Sequence, residues 1–116
     1  SDWYKKADLE NKDEAGQPHY PGWAVEAIKY LVEERNVGAI GHEPADTDPA
    51  VITTATDGSY PYPGEQYILA TDRIQIEVMA NLDKVPAKGA MIVIGFPKLK
   101  DGTGYPTRCY AICPEE

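Results

Sequence analysis

The chain has 116 residues, 42% apolar and 26% charged, which describes one small globular domain and leaves no room for two well-cored ones. A formal charge of −8, from 11 Lys and Arg against 19 Asp and Glu, excludes nucleic acid and anionic membranes as expected partners, since both are held by clustered basic side chains. No apolar run approaches the roughly 18 residues of a membrane span, no signal peptide opens the chain, and the first residue is Ser1 rather than Met, so a processed or truncated cytoplasmic protein is expected.

Residues 1–20 are polar and irregular, with Lys5-Lys6 and mixed charges from Asp8 to Glu14. They read as an N-terminal arm, and 21–116 as one α/β portion. From Trp23 to Arg35 the positions Val25, Ile28, Leu31 and Val32 recur at helical spacing, while Glu26, Lys29, Glu33 and Glu34 fall on the wet side. Pro21-Gly22 marks the start of this main amphipathic helix, and Asn36 is a left-handed stop. Val37 to Gly41 is a short strand of the buried type.

The loop that follows, His42-Glu43-Pro44-Ala45-Asp46-Thr47-Asp48-Pro49, is dense in ligand-type side chains. Loops at the carboxyl end of buried strands are where α/β folds build sites. His42 is a candidate site residue there, with a hydrogen-bonding surface group as the competing reading. Asp46 and Asp48 are candidates for the same pocket, or turn residues that satisfy loop amides.

Residues 50–63 read as loop, with an Asp57-Gly58 turn and the extended aromatic segment Tyr60-Pro61-Tyr62-Pro63. Gln66 to Thr71 predicts a short helix. Ile74 to Met79 predicts a strand whose Ile74, Ile76 and Val78 share the core face and whose Gln75 and Glu77 share the other. A carboxylate in mid-strand is disfavoured by propensity and, if covered, must be paired or metal-bound; an edge strand with a wet second face is the alternative. Ala90 to Phe96 is almost wholly apolar and predicts a central strand. Lys98 to Gly104 is a glycine-containing loop that lacks the Lys-Ser/Thr of a phosphate loop, and Thr107 to Ile112 predicts a final strand. Cys109 and Cys113 read as two ordinary buried thiols, without the His partners of a zinc site.

Four segments in this order carry a resemblance. They are Pro21-Gly22-Trp23-Ala24-Val25-Glu26-Ala27 with Val37-Gly38-Ala39-Ile40-Gly41, then Tyr62-Pro63-Gly64-Glu65, then Ile76-Glu77 leading to Asn81-Leu82-Asp83-Lys84-Val85-Pro86, and last Gly102-Thr103-Gly104-Tyr105-Pro106-Thr107-Arg108 after Pro97-Lys98. Together they resemble the C-terminal half of the cyclase family of metal-dependent hydrolases, which contains kynurenine formamidase and isatin hydrolase. The similarity covers Pro21 to Ile112. The family's main metal signature, His-x-Gly-Thr-His-x-Asp-x-Pro, has no counterpart in the chain, whose histidines are His19 and His42. Glu65 stands where the better-known members carry a His.

The resemblance implies a partial swivelling β/β/α fold with a mixed sheet, and hydrolysis of an amide or lactam by metal-activated water. It implies Glu77 as the metal ligand of this half and Glu65 as a ligand or acid/base beside it; His42, by its place in the loop rather than by the resemblance, is the second catalytic candidate, as a ligand or a partner of one. An ordinary carboxylate at Glu65 would serve better as base than as acid near neutrality, and its plain structural role would be a negative charge at a helix N-terminus. Tyr62, Asp46, Asp48 and Arg108 would line the substrate pocket, with Trp23 and Tyr60 nearby or in the core. The implied cofactor is a divalent metal, Zn or Mn in preference to Mg. The implied partners are a small-molecule amide substrate and either a second copy of the chain or the missing N-terminal half. Two other readings compete: a non-catalytic binding or assembly module on the same fold, and a calcium-type oxygen site at Glu65, Asp46 and Asp48.

Overall fold

The computed structural model describes residues 3–5 and 8–115. The chain forms two compact units, 1–82 and 83–116.

In the first unit, helix α1 (Val25–Glu33) begins after Ala24, whose extended backbone turns the chain into the helix without a side-chain cap, and Glu26 in its first turn complements the dipole. Ile28 and Val32 are its buried stripe. Asn36 closes it in the left-handed conformation (φ 49°), with the Asn36 and Val37 amides donating to the carbonyls of Val32 and Leu31 at 3.1 Å. The expected left-handed stop and wet face are observed, while the helix itself is shorter than the expected span from Trp23 to Arg35.

Strand β1 (Ala39–Gly41) follows, and its partner is β2 (Ile74–Ile76), parallel, with Ala39 opposite Ile74 and Gly41 opposite Ile76. The crossover between them holds α2 (Ala50–Thr53) and α3 (Pro63–Ala70). Sequence reading places no helix at 50–53, but Pro49 in extended conformation launches one short turn that caps itself through Thr54 Oγ1 and the Ala50 carbonyl. Helix α3 starts earlier than expected because Pro63 occupies its first turn, where a missing N–H costs nothing. It packs on α1, and Ile28, Val32, Ile40 and Ile68 form the core, sealed by Trp23, Leu31, Val37 and Tyr67.

The expected strand through Met79 is shorter than its alternation suggested. Val78 adopts φ 55°, an uncommon conformation for a β-branched residue, so the chain leaves the sheet after Ile76. The turn is held by amides: His42 donates to the Ile76 carbonyl (3.0 Å), Met79 to the His42 carbonyl (2.9 Å) and Val78 to the Pro44 carbonyl (3.1 Å). Of the three residues expected on the core face, only Ile76 is buried, while Ile74 and Val78 are exposed. Glu77 therefore sits just past the strand end rather than in mid-strand.

In the second unit, β3 (Met91–Gly95) pairs antiparallel with β4 (Arg108–Ile112), Met91 opposite Ile112 and Gly95 opposite Arg108. Among the described residues the strands form one parallel pair and one antiparallel pair, not one mixed sheet. Nor is β3 central: a wholly apolar strand is suited to cover on both faces, yet among the described strands only β4 pairs with it, and Met91 is 62% exposed. The cysteines also differ from expectation, Cys109 being half-buried and Cys113, just beyond the strand, exposed.

Candidate functional site

The loop after β1 is unusual in what it buries. His42, Glu43, Thr47 and Asp48 are all buried polar residues, although loops normally keep such groups wet. Glu43, Thr47 and Asp48 are held by hydrogen bonds, and the His42 ring by one at Nδ1 alone. Asp48, 1% exposed, accepts the backbone N–H of Gly64 (2.8 Å) and of Glu65 (2.9 Å), so a loop carboxylate caps α3 in place of a local N-cap. The close approach requires glycine at two points. A Cβ on Gly64 would stand 2.8 Å from Asp48 Oδ1, and one on Gly22 would lie 2.3 Å from the Pro49 nitrogen.

Glu43 works in the same manner on other segments, accepting the amide of Trp3 at 2.7 Å and of Leu82 at 3.3 Å. Sequence reading assigned it no role. A Glu inside an otherwise short, turn-rich buried loop was the available signal.

Around Glu77 the contacts converge on one oxygen. Glu77 Oε1 accepts from Gln75 Nε2 (2.9 Å) and from the Thr47 hydroxyl (3.3 Å), with His42 Nε2 at 3.7 Å. The shared face of Gln75 and Glu77 expected from alternation is what brings the first pair together. Burial raises the Glu77 pKa, and the Asp46 and Glu65 carboxylates raise it further. Glu65, at the start of α3, is raised by burial first and then by Asp46 and Asp48. Asp46 is raised by burial, partly offset by the backbone amides of Asp48 and Thr47, and its Oδ1 is buried with no hydrogen-bond partner. Burial lowers the pKa of His42. Its Nδ1 accepts the indole N–H of Trp23 at 3.3 Å.

The structure thus brings His42, Asp46, Glu65 and Glu77 into one electrostatic neighbourhood, with Asp48 committed to the helix. Tyr62 lies to one side, its ring edge-on to Tyr60 at 6.3 Å between centroids. With Tyr20, Asp46 and Thr53 it lines an open groove of about 290 Å³ that Glu65 and Glu77 do not line. Tyr20 and the Thr53 hydroxyl share a hydrogen bond there. Trp23, read mainly as a core residue, does pack on the core but also reaches His42. Arg108 belongs to the second unit, opposite Gly95 in the ribbon.

As a donor set this neighbourhood is incomplete. Among the described residues no group of three or more His, Cys, Asp or Glu is placed to hold a metal ion. The alternative calcium-type cluster of Glu65, Asp46 and Asp48 is not among such groups; both Asp48 oxygens already accept helix amides. No helix is long and apolar enough to cross a membrane among the described residues.

No family model matches the chain. It is 36% identical over 119 aligned residues to the isatin hydrolase of Roseibium aggregatum, a match covering 99% of this chain and 43% of that protein. Isatin hydrolase A from Labrenzia aggregata, bound to benzyl benzoate, superimposes with a TM-score of 0.84 at 37% identity, over 98% of this chain and 44% of that one. Isatin hydrolase A from Ralstonia solanacearum gives 0.83 at 30% identity, over 98% and 43%. An isatin hydrolase bound to the product analogue thioisatinate gives 0.82 at 34%, again over 98% and 43%. The chain spans less than half the length of these relatives and shares their α/β fold throughout its own. The chain is thus similar over nearly its whole length to a C-terminal part of the isatin hydrolases, in agreement with the cyclase-family resemblance of its ordered motifs.

Proposed function

We propose that this chain supplies the C-terminal part of a metal-dependent hydrolase that opens an amide or lactam bond, isatin or a related aryl amide being the substrate class. The observation that supports it most is the placement of Glu77: at a strand end, half-buried, gripped through one oxygen by Gln75 and Thr47, and facing two further carboxylates on a scaffold like that of isatin hydrolase. Two carboxyl groups with environments that push their pKa values upward suit proton handling close to neutrality. Glu65 gains most from this. Sequence alone made it a base, whereas burial beside Asp46 and Asp48 lets it hold a proton at higher pH and so return one to a departing nitrogen.

A divalent cation, Zn or Mn for a mixed imidazole and carboxylate set, would supply Lewis-acid activation of water in the complete enzyme. Glu77 and Glu65 are the ligands this chain would offer. By themselves the described residues do not make that centre, and the remaining ligands would come from beyond them, from the family's N-terminal motif or from a second copy in an oligomer.

The test is metal content and isatin ring opening, measured on the protein expressed from its complete gene. Near-stoichiometric Zn or Mn and hydrolysis are expected, both lost in Glu77→Gln, with activity down at least about a hundredfold. The competing reading, a non-catalytic module on the same fold, is favoured by the incomplete donor set. It predicts no metal, no hydrolysis and indifference to the substitution.

A further inference from the structure

We propose that Trp23 and His42 form a positioning relay for Glu77, in which the Trp23 indole fixes the tautomer of His42 so that the Nε2 proton is presented to the Glu77 carboxylate. An indole nitrogen is a donor only. At 3.3 Å from it, His42 Nδ1 must be an acceptor, so the imidazole is neutral and carries its proton on Nε2. That nitrogen is buried with no hydrogen-bond partner inside 3.5 Å, and Glu77 Oε1 lies 3.7 Å from it. His42 is 8% exposed, so water does not compete freely for the proton.

The backbone holds all three residues in register. Trp23 donates its amide to the Thr47 carbonyl at 2.8 Å, and Thr47 in turn donates its hydroxyl to Glu77. The His42 amide and carbonyl bond the chain on either side of Glu77, through the Ile76 carbonyl and the Met79 amide. A shift of α1's leading end would therefore move the His42 ring and the Glu77 carboxylate together. The relay helps fix the orientation of the Glu77 carboxylate, whose Oε1 faces the Thr47 hydroxyl, Gln75 Nε2 and His42 Nε2. His42 is on this view a positioning residue, not a group that exchanges protons with substrate.

What Glu77 is positioned for rests on the proposed hydrolase reading, but the relay itself is read without activity or metal. The experiment is imidazole nitrogen NMR on the ¹⁵N-labelled chain, with His19→Gln to assign the two histidines. The expected pattern for His42 at neutral pH is a single tautomer protonated at Nε2. A His42 protonated at Nδ1, or one averaging between tautomers, overturns the relay and says nothing against hydrolysis. In Trp23→Phe, which keeps the ring against the core, the fixed pattern is expected to give way to averaging, and an unchanged pattern overturns the proposal. The Glu77 carboxyl carbon reports the other end: its resonance should move in His42→Leu and return toward its original position in His42→Gln, which restores a donor. No movement in His42→Leu overturns the positioning role.

Discussion

Asp48 holds the first turn of the helix that carries Glu65, accepting the amides of Gly64 and Glu65 at 2.8 and 2.9 Å from a loop sixteen residues upstream of Gly64. Because the carboxylate is buried, its loss leaves two helix amides unsatisfied rather than returning them to water. Asp48→Ala is expected to cost about 2–4 kcal/mol, more than the ~1 kcal/mol of an exposed cap. Asp48→Asn keeps one acceptor and should cost about half as much. Urea midpoints at constant m-value measure both; equal, small losses would place the cap elsewhere.

Gly64 reverses the usual rule for glycine in a helix. Replacing an interior helical glycine with Ala ordinarily gains up to about 1 kcal/mol. Here the added Cβ would sit 2.8 Å from Asp48 Oδ1 and 3.0 Å from Ile28 Cδ1, pressing on both the cap and the core. Gly64→Ala should destabilise by about 1–3 kcal/mol, read from the same denaturation curves. A stabilised variant would show that the loop yields freely.

These two residues mark how far the sequence could be read. The main helix and its Asn36 stop followed from spacing, and the family resemblance followed from motif order, because both are properties of consecutive residues. Asp48 was visible as a group able to satisfy amides, but not whose amides, since its partner lies across a crossover of unknown path. The strand before Glu77 was drawn too long: alternation continues through Val78, while a left-handed backbone there ends the pairing, and nothing in a β-branched residue signals that. The apolar Met91–Gly95 run gave its strand but not its neighbours, because apolarity reports what a strand needs and not what covers it. His42 was weighed as a surface group for want of its contact with Trp23, nineteen residues away in the chain.

Glu43 ties two distant backbone segments to the site loop, through the amides of Trp3 and Leu82. At 1% exposure it is the kind of buried carboxylate that is worth little as a net gain but costly to remove. Glu43→Ala should cost about 3 kcal/mol or more, and Glu43→Gln, which retains one acceptor, about 1–2. Hydrogen exchange offers a second reading: the amide of Leu82 should lose protection in Glu43→Ala before the α1 core does. Uniform loss across the unit would mean Glu43 serves the fold as a whole and not those segments.

Glu65 gives the pH signature of the acidic neighbourhood. Its pKa is raised by burial and by Asp46 and Asp48, so the folded state takes up this proton at higher pH than the unfolded chain does. The stability it contributes is complete below the ordinary carboxylate value and is lost as pH rises through the raised folded value. His42 acts on a different window: its lowered pKa makes the folded state resist a proton that the unfolded chain accepts, so stability falls as pH drops below the ordinary imidazole value of 6.5. A substitution that leaves His42 in place separates the two. Among the described residues none donates a hydrogen bond to the Glu65 side chain, and Gln there removes charge without breaking a contact. The variant should be more stable than the parent by about 0.5 kcal/mol at neutral pH, a figure kept small because Glu65 is only partly buried. The difference should vanish as pH falls to about 4 and the parent carboxyl is neutralised anyway. Paired denaturation curves across that range decide it, and a variant that is less stable at neutral pH would show that the Glu65 charge is compensated rather than repelled.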